Sequence, residues 1–291
     1  GYYAFGEYDF ARESIRLLGL SQRDDGFLEL CAPAEIPITI PCFTLMWIVQ
    51  LYEHILFTGD LDFAQEMWKH VEQIIRSVWI HSRGSDLVPP YYNDKYWNFY
   101  EWSDGLAGDR SLNNMRDKDN PLNFDAPLNA FYYLALRSAV QIAKNLADYT
   151  KDANYRDLEA WYDMMAAGVL NNFDKTFWDE EKEVYATYLI NGEKHHYSEL
   201  TNALALYAGL VPESKKEKVA HMLAHGKDLV PITISHSIFK YEALLSVSDE
   251  YGKYVFDEIT DKWGYMLYNN ATTFWETING AWDFSNAGSL C

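Results

Sequence analysis

Two stretches combine carboxylates with aromatic rings at spacings suited to sugar chemistry. The first runs from Trp263 to Glu276 and holds Trp263, Tyr265, Tyr268, Phe274 and Trp275 ahead of one carboxylate, Glu276, with Trp282 following. Indole and phenol rings stack on the C–H faces of a pyranose, and an apolar wall tunes the pKa of an acid beside it. The plain alternative is a buried loop that packs its rings while Glu276 bonds a backbone donor, and residue types alone weigh the two evenly. The second stretch is Trp97-Asn98-Phe99-Tyr100-Glu101-Trp102-Ser103-Asp104. It lies in a connection from Arg83 to Asn120 that is too long for an ordinary linker in a compact domain and too aromatic for a disordered one. A substrate cleft shared by the two stretches is favoured over coincidental loop packing.

The elements that must hold these stretches are helical. Phe43 to Phe57 is apolar almost all round, as a helix enclosed on most sides must be. Thr58-Gly59-Asp60 ends it and caps a second helix from Leu61 to Trp79, which is apolar on one face and charged on the other. An enclosed helix followed by a half-exposed one is an αα-hairpin with an inner and an outer arm. The alternation recurs: Leu128 to Leu146 then Asn154 to Phe173, Leu200 to Leu210 then Pro212 to His225, Ile234 to Leu245 then Asp249 to Ile259. A leading helix from Ala4 to Leu18, with Phe10, Ile15, Leu17 and Leu18 on its apolar side and Gly19 as its stop, brings the expected number to nine. Such hairpins close on themselves only in numbers of about five or six, which predicts an all-α (α/α) barrel. Phe177 to Ile190 alternates like a small β-hairpin on a connecting loop.

Composition narrows the partners. The chain has 291 residues, enough for one large core, and its 16% aromatic content suits a deep pocket or a large helical interior. A net charge of −19 with no Lys/Arg stripe sets aside nucleic acid and anionic membranes. No apolar run reaches the length of a membrane span. Cys31, Cys42 and Cys291 form no C-x-x-C pair and argue against a disulfide framework or a zinc site, so no metal or cofactor is expected. Asp24-Asp25 beside Gly26 reads as a turn, His195-His196 as a surface turn, and Glu7 as a charge near a helix N-terminus. The ends, Gly1 without an initiator Met and an apolar segment closing on Cys291, read as cut from something longer.

Trp263-Gly264-Tyr265-Met266 followed by Ala271-Thr272-Thr273-Phe274-Trp275-Glu276 resembles the closing W-G-Y-M/I … G-A-T-T-x-W-E motif of the α-L-rhamnosidases of glycoside hydrolase family 78. Asn270 stands where that family usually has Gly, and Ser289-Leu290-Cys291 matches the opening of its Ser-Leu-x-His segment. Glu101-Trp102 resembles the family's G-D-W, with Glu in place of Asp. The resemblance spans most of the chain, and 271–276 is its most specific part. It implies a single (α/α)6 barrel catalytic domain over 1–291, incomplete here, and inverting hydrolysis of terminal α-L-rhamnosides. It also implies Glu276 as general base, the residue that activates water opposite a protonated carboxyl roughly 6.5–9.5 Å away. The family's acid lies in a D-x-x-x-x-E type motif that has no counterpart in this sequence; its place would precede Gly1.

On this reading Trp102 is the first candidate to stack on the sugar, with Trp97, Trp263 and Trp275 behind it, while Glu101 and Asp104 bond sugar hydroxyls. For Asp104 a loop-internal cap or ion pair is as plausible. Two rivals share the same architecture: another (α/α)6 glycosidase acting on glucosides or trehalose, and a non-catalytic carbohydrate-binding toroid. A toroidal prenyl-transfer enzyme would want an Asp-rich Mg²⁺ motif or zinc ligands, and neither is visible.

Overall fold

The computed structural model describes residues 6–275 apart from 35, 37 and 109, together with 278. Among these, ten α-helices and one 3-10 turn dominate, with five short strands in the connections. The first helix, α1 (Asp9–Leu20), leads into an irregular segment and then α2 (Pro41–Thr58) and α3 (Leu61–Ser82). A Pro at the first position of α2 suits a turn whose N–H has no helical partner. At its other end Gly59 takes a left-handed φ of 70°, and Asp60 accepts a hydrogen bond from the Phe63 N–H to start α3. Thr58-Gly59-Asp60 therefore acts as its residue types predict.

The remaining hairpins follow the same plan. A six-residue helix, α4 (Arg110–Met115), and strand β1 (Phe124–Asp125) precede α5 (Ala126–Thr150) and α6 (Asn154–Phe177). Strands β2 (Trp178–Asp179), β3 (Val184–Tyr185), β4 (Tyr188–Ile190) and β5 (Glu193–His195) lead to α7 (Glu199–Tyr207) and α8 (Glu213–His225). Then come α9 (Ser237–Val247), the 3-10 turn Asp249–Tyr251 and α10 (Gly252–Tyr268). The strands β2 and β3 form the expected hairpin, while β4 pairs antiparallel with both β5 and β1.

Inner helices α2, α5, α7 and α9 pack side by side in chain order, and α3, α6, α8 and α10 lie against them. The core is accordingly one continuous cluster that runs from Ile15 to Val255. The predicted inner and outer assignments hold for all four pairs. On one face of this array the turns are short: Gly59-Asp60, 151–153, 208–212 and 248–251. On the other face every outer helix returns to the next inner one through a longer connection.

Several boundaries differ from expectation. The leading helix begins at Asp9, and Phe10 and Leu17 face solvent at 83% and 50% exposure. Its sequestered residues are Ile15 and Gly19, and Gly19 sits inside the helix rather than ending it. A Cβ there would lie 2.9 Å from the Trp47 ring and 3.2 Å from the Met67 sulfur. Gly19 thus serves close helix packing, and Trp47 seals the same contact by donating its indole N–H to the Ile15 carbonyl at 2.8 Å. The final outer helix extends to Tyr268, so Trp263-Gly264-Tyr265-Met266 is helical instead of belonging to an aromatic loop.

Gly19 and Gly264 should respond oppositely to alanine. Gly264 is in the interior of α10 with nothing near its missing Cβ, so Gly264→Ala should stabilise by about 0.5–1 kcal/mol through helix propensity. Gly19→Ala should cost about 1–3 kcal/mol, because overpacking against Trp47 outweighs the smaller gain near a helix end. Urea unfolding of both variants reads the two signs.

Candidate functional site

The four inner helices present their N-termini on the long-loop face, so this face gathers the positive ends of four helix dipoles. Polar ties fasten its loops to one another. The Thr39 N–H donates to the Lys95 carbonyl at 2.9 Å and the Trp97 N–H to the Thr39 carbonyl at 2.8 Å. The Val230 N–H bonds the Tyr197 carbonyl and the Glu199 N–H bonds the Val230 carbonyl, each at 2.9 Å. Ser103 Oγ donates to the Pro231 carbonyl at 2.5 Å.

The connection from Arg83 to Asn120 is ordered by buried charge. Asp125, at the start of α5, accepts from Arg116 Nη2 at 2.6 Å and from the Tyr100 hydroxyl at 2.7 Å, and all three side chains are buried. The predicted long loop is therefore real, but it contains α4 and is pinned at both ends. His196 also departs from expectation. It is half-buried, with Nδ1 3.0 Å from Thr187 Oγ1 and Nε2 2.8 Å from the Asp104 carbonyl, so it ties two loops rather than marking a surface turn.

Trp97, Phe99 and Trp102 form one aromatic cluster. Trp102 lies 5.8 Å from the Trp97 ring and 4.7 Å from Phe99, and it is 41% exposed. Trp97 donates its indole N–H to the Ala107 carbonyl at 2.9 Å, which holds it as the wall behind Trp102. The side chain of Asp104 is exposed. Phe43, at the head of α2, meets Phe99 edge-on at 5.9 Å and extends the cluster to a cavity of about 370 Å³. Glu29, Thr44, Gln50, Phe131, Ser235 and His236 are among its lining residues. This volume fits a bound monosaccharide, and the mixture of rings with a few polar groups is that of a small-molecule site.

The other stretch is placed differently. Trp263 packs near Tyr241 at 6.3 Å, and Trp275 meets Tyr265 edge-on at 6.1 Å. Tyr268 and Phe274 face solvent. No ring contact between this group and the Trp97–Trp102 cluster occurs among the described residues. Glu276 lies outside the described residues.

Glu101 is completely buried. Its Oε2 accepts two hydrogen bonds from Thr233, from the backbone N–H and from the hydroxyl, both at 2.8 Å. Burial pushes its carboxyl up to about 7, opposed by the Thr233 bonds and aided by the negative charge of Glu199. A value near 7 would suit a general acid. With no exposed surface, however, the carboxyl has no approach for a substrate oxygen, and it acts as the anchor of the 231–236 loop. Glu199 accepts from the Ile232 N–H at 3.0 Å and pairs with buried Lys240 at 3.0 Å, so the same loop is anchored twice.

Thr233, Ser235, His236, Glu199 and Lys240 escape a reading of sequence alone. A helix begun at Ile234 puts Ser235 and His236 within a buried face; α9 starts at Ser237 and leaves both on the loop ahead of it. Among the described residues no group of three or more His, Cys, Asp or Glu side chains is arranged to hold a metal, and no helix is long and apolar enough to cross a membrane.

The buried Glu101 gives a pH signature. Its folded pKa of about 7 exceeds the ordinary 4.5, so between those values the native state holds more of the proton than the unfolded chain does. Stability from this group is full below pH 4.5 and falls as pH rises towards 7. Relative to Glu101→Gln, the wild-type protein should lose about 1 kcal/mol of stability per pH unit across that window. Chemical unfolding at pH 5, 6 and 7 checks this; a flat difference would place the carboxyl in water.

The sequence model of the bacterial α-L-rhamnosidase six-hairpin glycosidase domain matches residues 1–291. Among solved structures, the chain is similar to a family 78 rhamnosidase of Bacillus sp. GL1, with 23% identity and a TM-score of 0.80 over 95% of this chain and 27% of that one. It is also similar to a rhamnosidase from Klebsiella oxytoca with rhamnose bound, with 17% identity and a TM-score of 0.72 over 94% of this chain and 48% of that one. A third is the α-L-rhamnosidase of Dictyoglumus thermophilum, with 20% identity and a TM-score of 0.65 over 93% and 28%. The chain thus spans about a quarter to a half of the length of these proteins. No match is found among curated protein sequences. With inner and outer helices paired as that fold requires and the domain matched from end to end, the chain belongs to the bacterial α-L-rhamnosidase six-hairpin glycosidase family.

Proposed function

We propose that the protein carrying this chain hydrolyses terminal α-L-rhamnosides with inversion, and that Glu276 is its general base. The observation that carries the reading is the cavity lined by Phe43, Trp47, Phe131 and Phe239 at the N-terminal ends of the inner helices, with Phe43 meeting Phe99 of the Trp97–Trp102 cluster. It has the size and the aromatic lining of a monosaccharide subsite. Each outer helix before α10 delivers its chain to this same face, and the residues after Tyr268 leave α10 from the corresponding end. That connectivity supports a place for Glu276 at the mouth. Trp102, exposed and backed by Trp97 and Phe99, is the ring offered to the sugar. Asp104, with its side chain exposed on the same loop, is the further hydroxyl ligand. Trp263 and Trp275, which precede Glu276 in the chain, are the further rings assigned to the sugar.

In the reaction, Glu276 takes a proton from water as that water attacks the anomeric carbon. A protonated carboxyl, carried by a segment preceding Gly1, gives its proton to the departing glycosidic oxygen. The neutral deoxy sugar needs no cationic ligand, in keeping with the acidic balance of the chain.

The test is hydrolysis of p-nitrophenyl α-L-rhamnoside by the protein carrying this chain, followed by proton NMR. β-L-Rhamnose should be the first product. Glu276→Gln should lower kcat by about 10²–10⁴-fold while the melting temperature barely moves. α-L-Rhamnose as first product would exclude inversion, and unchanged turnover in the variant would remove Glu276 from the reaction.

A further inference from the structure

The loop before α9 carries a hydrogen-bonded line from the buried acid to the cavity wall. Thr233 Oγ1 donates to Glu101 Oε2 at 2.8 Å, Thr233 Oγ1 and Ser235 Oγ lie 2.9 Å apart, and Ser235 Oγ lies 3.2 Å from His236 Nδ1. Each hydroxyl has a single proton, so the direction of the line is determined. Oε2 accepts, which commits the Thr233 proton to Glu101. The proton between Thr233 and Ser235 must then come from Ser235, and the one between Ser235 and His236 must come from Nδ1. Run in reverse, Ser235 would donate to Nδ1, and the Thr233–Ser235 contact would hold two lone pairs and no proton. Protonating Glu101 leaves the direction intact, because Oε2 already receives two bonds and the acid proton goes to Oε1, which has no partner.

We infer that Glu101, through Thr233 and Ser235, holds His236 in its Nδ1–H tautomer, and that the bare Nε2 is a specificity-determining acceptor for a sugar hydroxyl in the cavity. Nδ1 is turned into the loop, and His236 lines the cavity with Glu29 and Gln50. Phe239 packs beside the ring at 5.9 Å. Burial lowers the His236 pKa to about 4, so the ring is neutral in ordinary buffers and accepts rather than donates at Nε2. A neutral acceptor in an aromatic cavity selects a hydroxylated, uncharged ligand, and a group lacking a hydroxyl at that point leaves a lone pair unmet. Glu101 acts at a distance here, as a positioning residue. The choice of a sugar as the ligand rests on the proposed function above; the tautomer does not.

Nitrogen-15 NMR of the histidine-labelled protein, with and without L-rhamnose, tests both halves. The free protein should show a protonated Nδ1 and a bare Nε2 at His236, and rhamnose should shift the Nε2 resonance. Glu101→Leu frees the Thr233 proton and should bring in the Nε2–H tautomer. His236→Leu should weaken rhamnose binding about tenfold, the loss of one hydrogen bond. His236→Gln, whose amide oxygen reaches the same place, should restore most of it. A proton on Nε2 in the wild-type protein, or equal rhamnose affinity in His236→Leu, would overturn the inference. If the wild-type protein binds no rhamnose but carries the Nδ1 proton, the functional reading fails and the relay stands.

Discussion

An inner helix that is apolar on every side can be stable only when neighbours enclose it, and this demand shapes the whole array. Helix α2 buries residues from Pro41 to Ile55 on several faces, and α5 does so from Ala126 to Ala147. Neither can face water along its length: α2 packs against α5 and the leading helix α1, α5 packs against α2 and α7, and each is backed by an outer helix. Chain that leaves an inner helix must therefore turn at its C-terminal end and come back on the outside. Once the turns at that end are short, all longer excursions are confined to the opposite face. A site built from loops is the consequence.

That face would be a loose collection of connections without polar ties, and the ties are made by buried charge. Asp125 joins Arg116 and Tyr100 where the long connection meets α5. Lys240 lies between Glu199 on α7 and Glu258 on α10, and Glu258 is drawn down to about 2: burial opposes that fall, and bonds from Lys262 and Tyr254 together with the charge on Lys240 outweigh it. Such buried pairs add little net stability over apolar packing, yet removing one partner strands the other. Their value here is geometric, since they specify one arrangement of loops that also bury apolar residues such as Leu87, Val88, Leu106 and Ile232.

Glu101 illustrates how the same residue type changes meaning with burial. Beside Trp102 in an exposed loop it would be a hydroxyl ligand. Enclosed, with Thr233 filling Oε2, it sets the direction of a hydrogen-bonded line and the shape of the 231–236 loop. Trp102 on the same loop is 41% exposed and packs against Trp97, which is itself held by the Ala107 carbonyl, and Asp104 is exposed.

Inner and outer helices were legible in the sequence because burial on all sides and burial on one side leave different apolar patterns, and Gly59-Asp60 signalled its turn through local backbone chemistry. The aromatic connection announced itself as ordered by its composition, and the motif ending at Glu276 announced the family. What escaped depended on contacts between residues far apart in the chain. Gly19 looked like a helix stop until Trp47, from another helix, required its missing side chain. His196 looked like a surface residue until the Asp104 carbonyl met it across two loops. The partnership of Glu101 with Thr233 spans more than a hundred residues, and no periodicity or local propensity encodes it. Local pattern reports which face of an element is buried; only the packed structure decides which carboxylate loses its water and which keeps it.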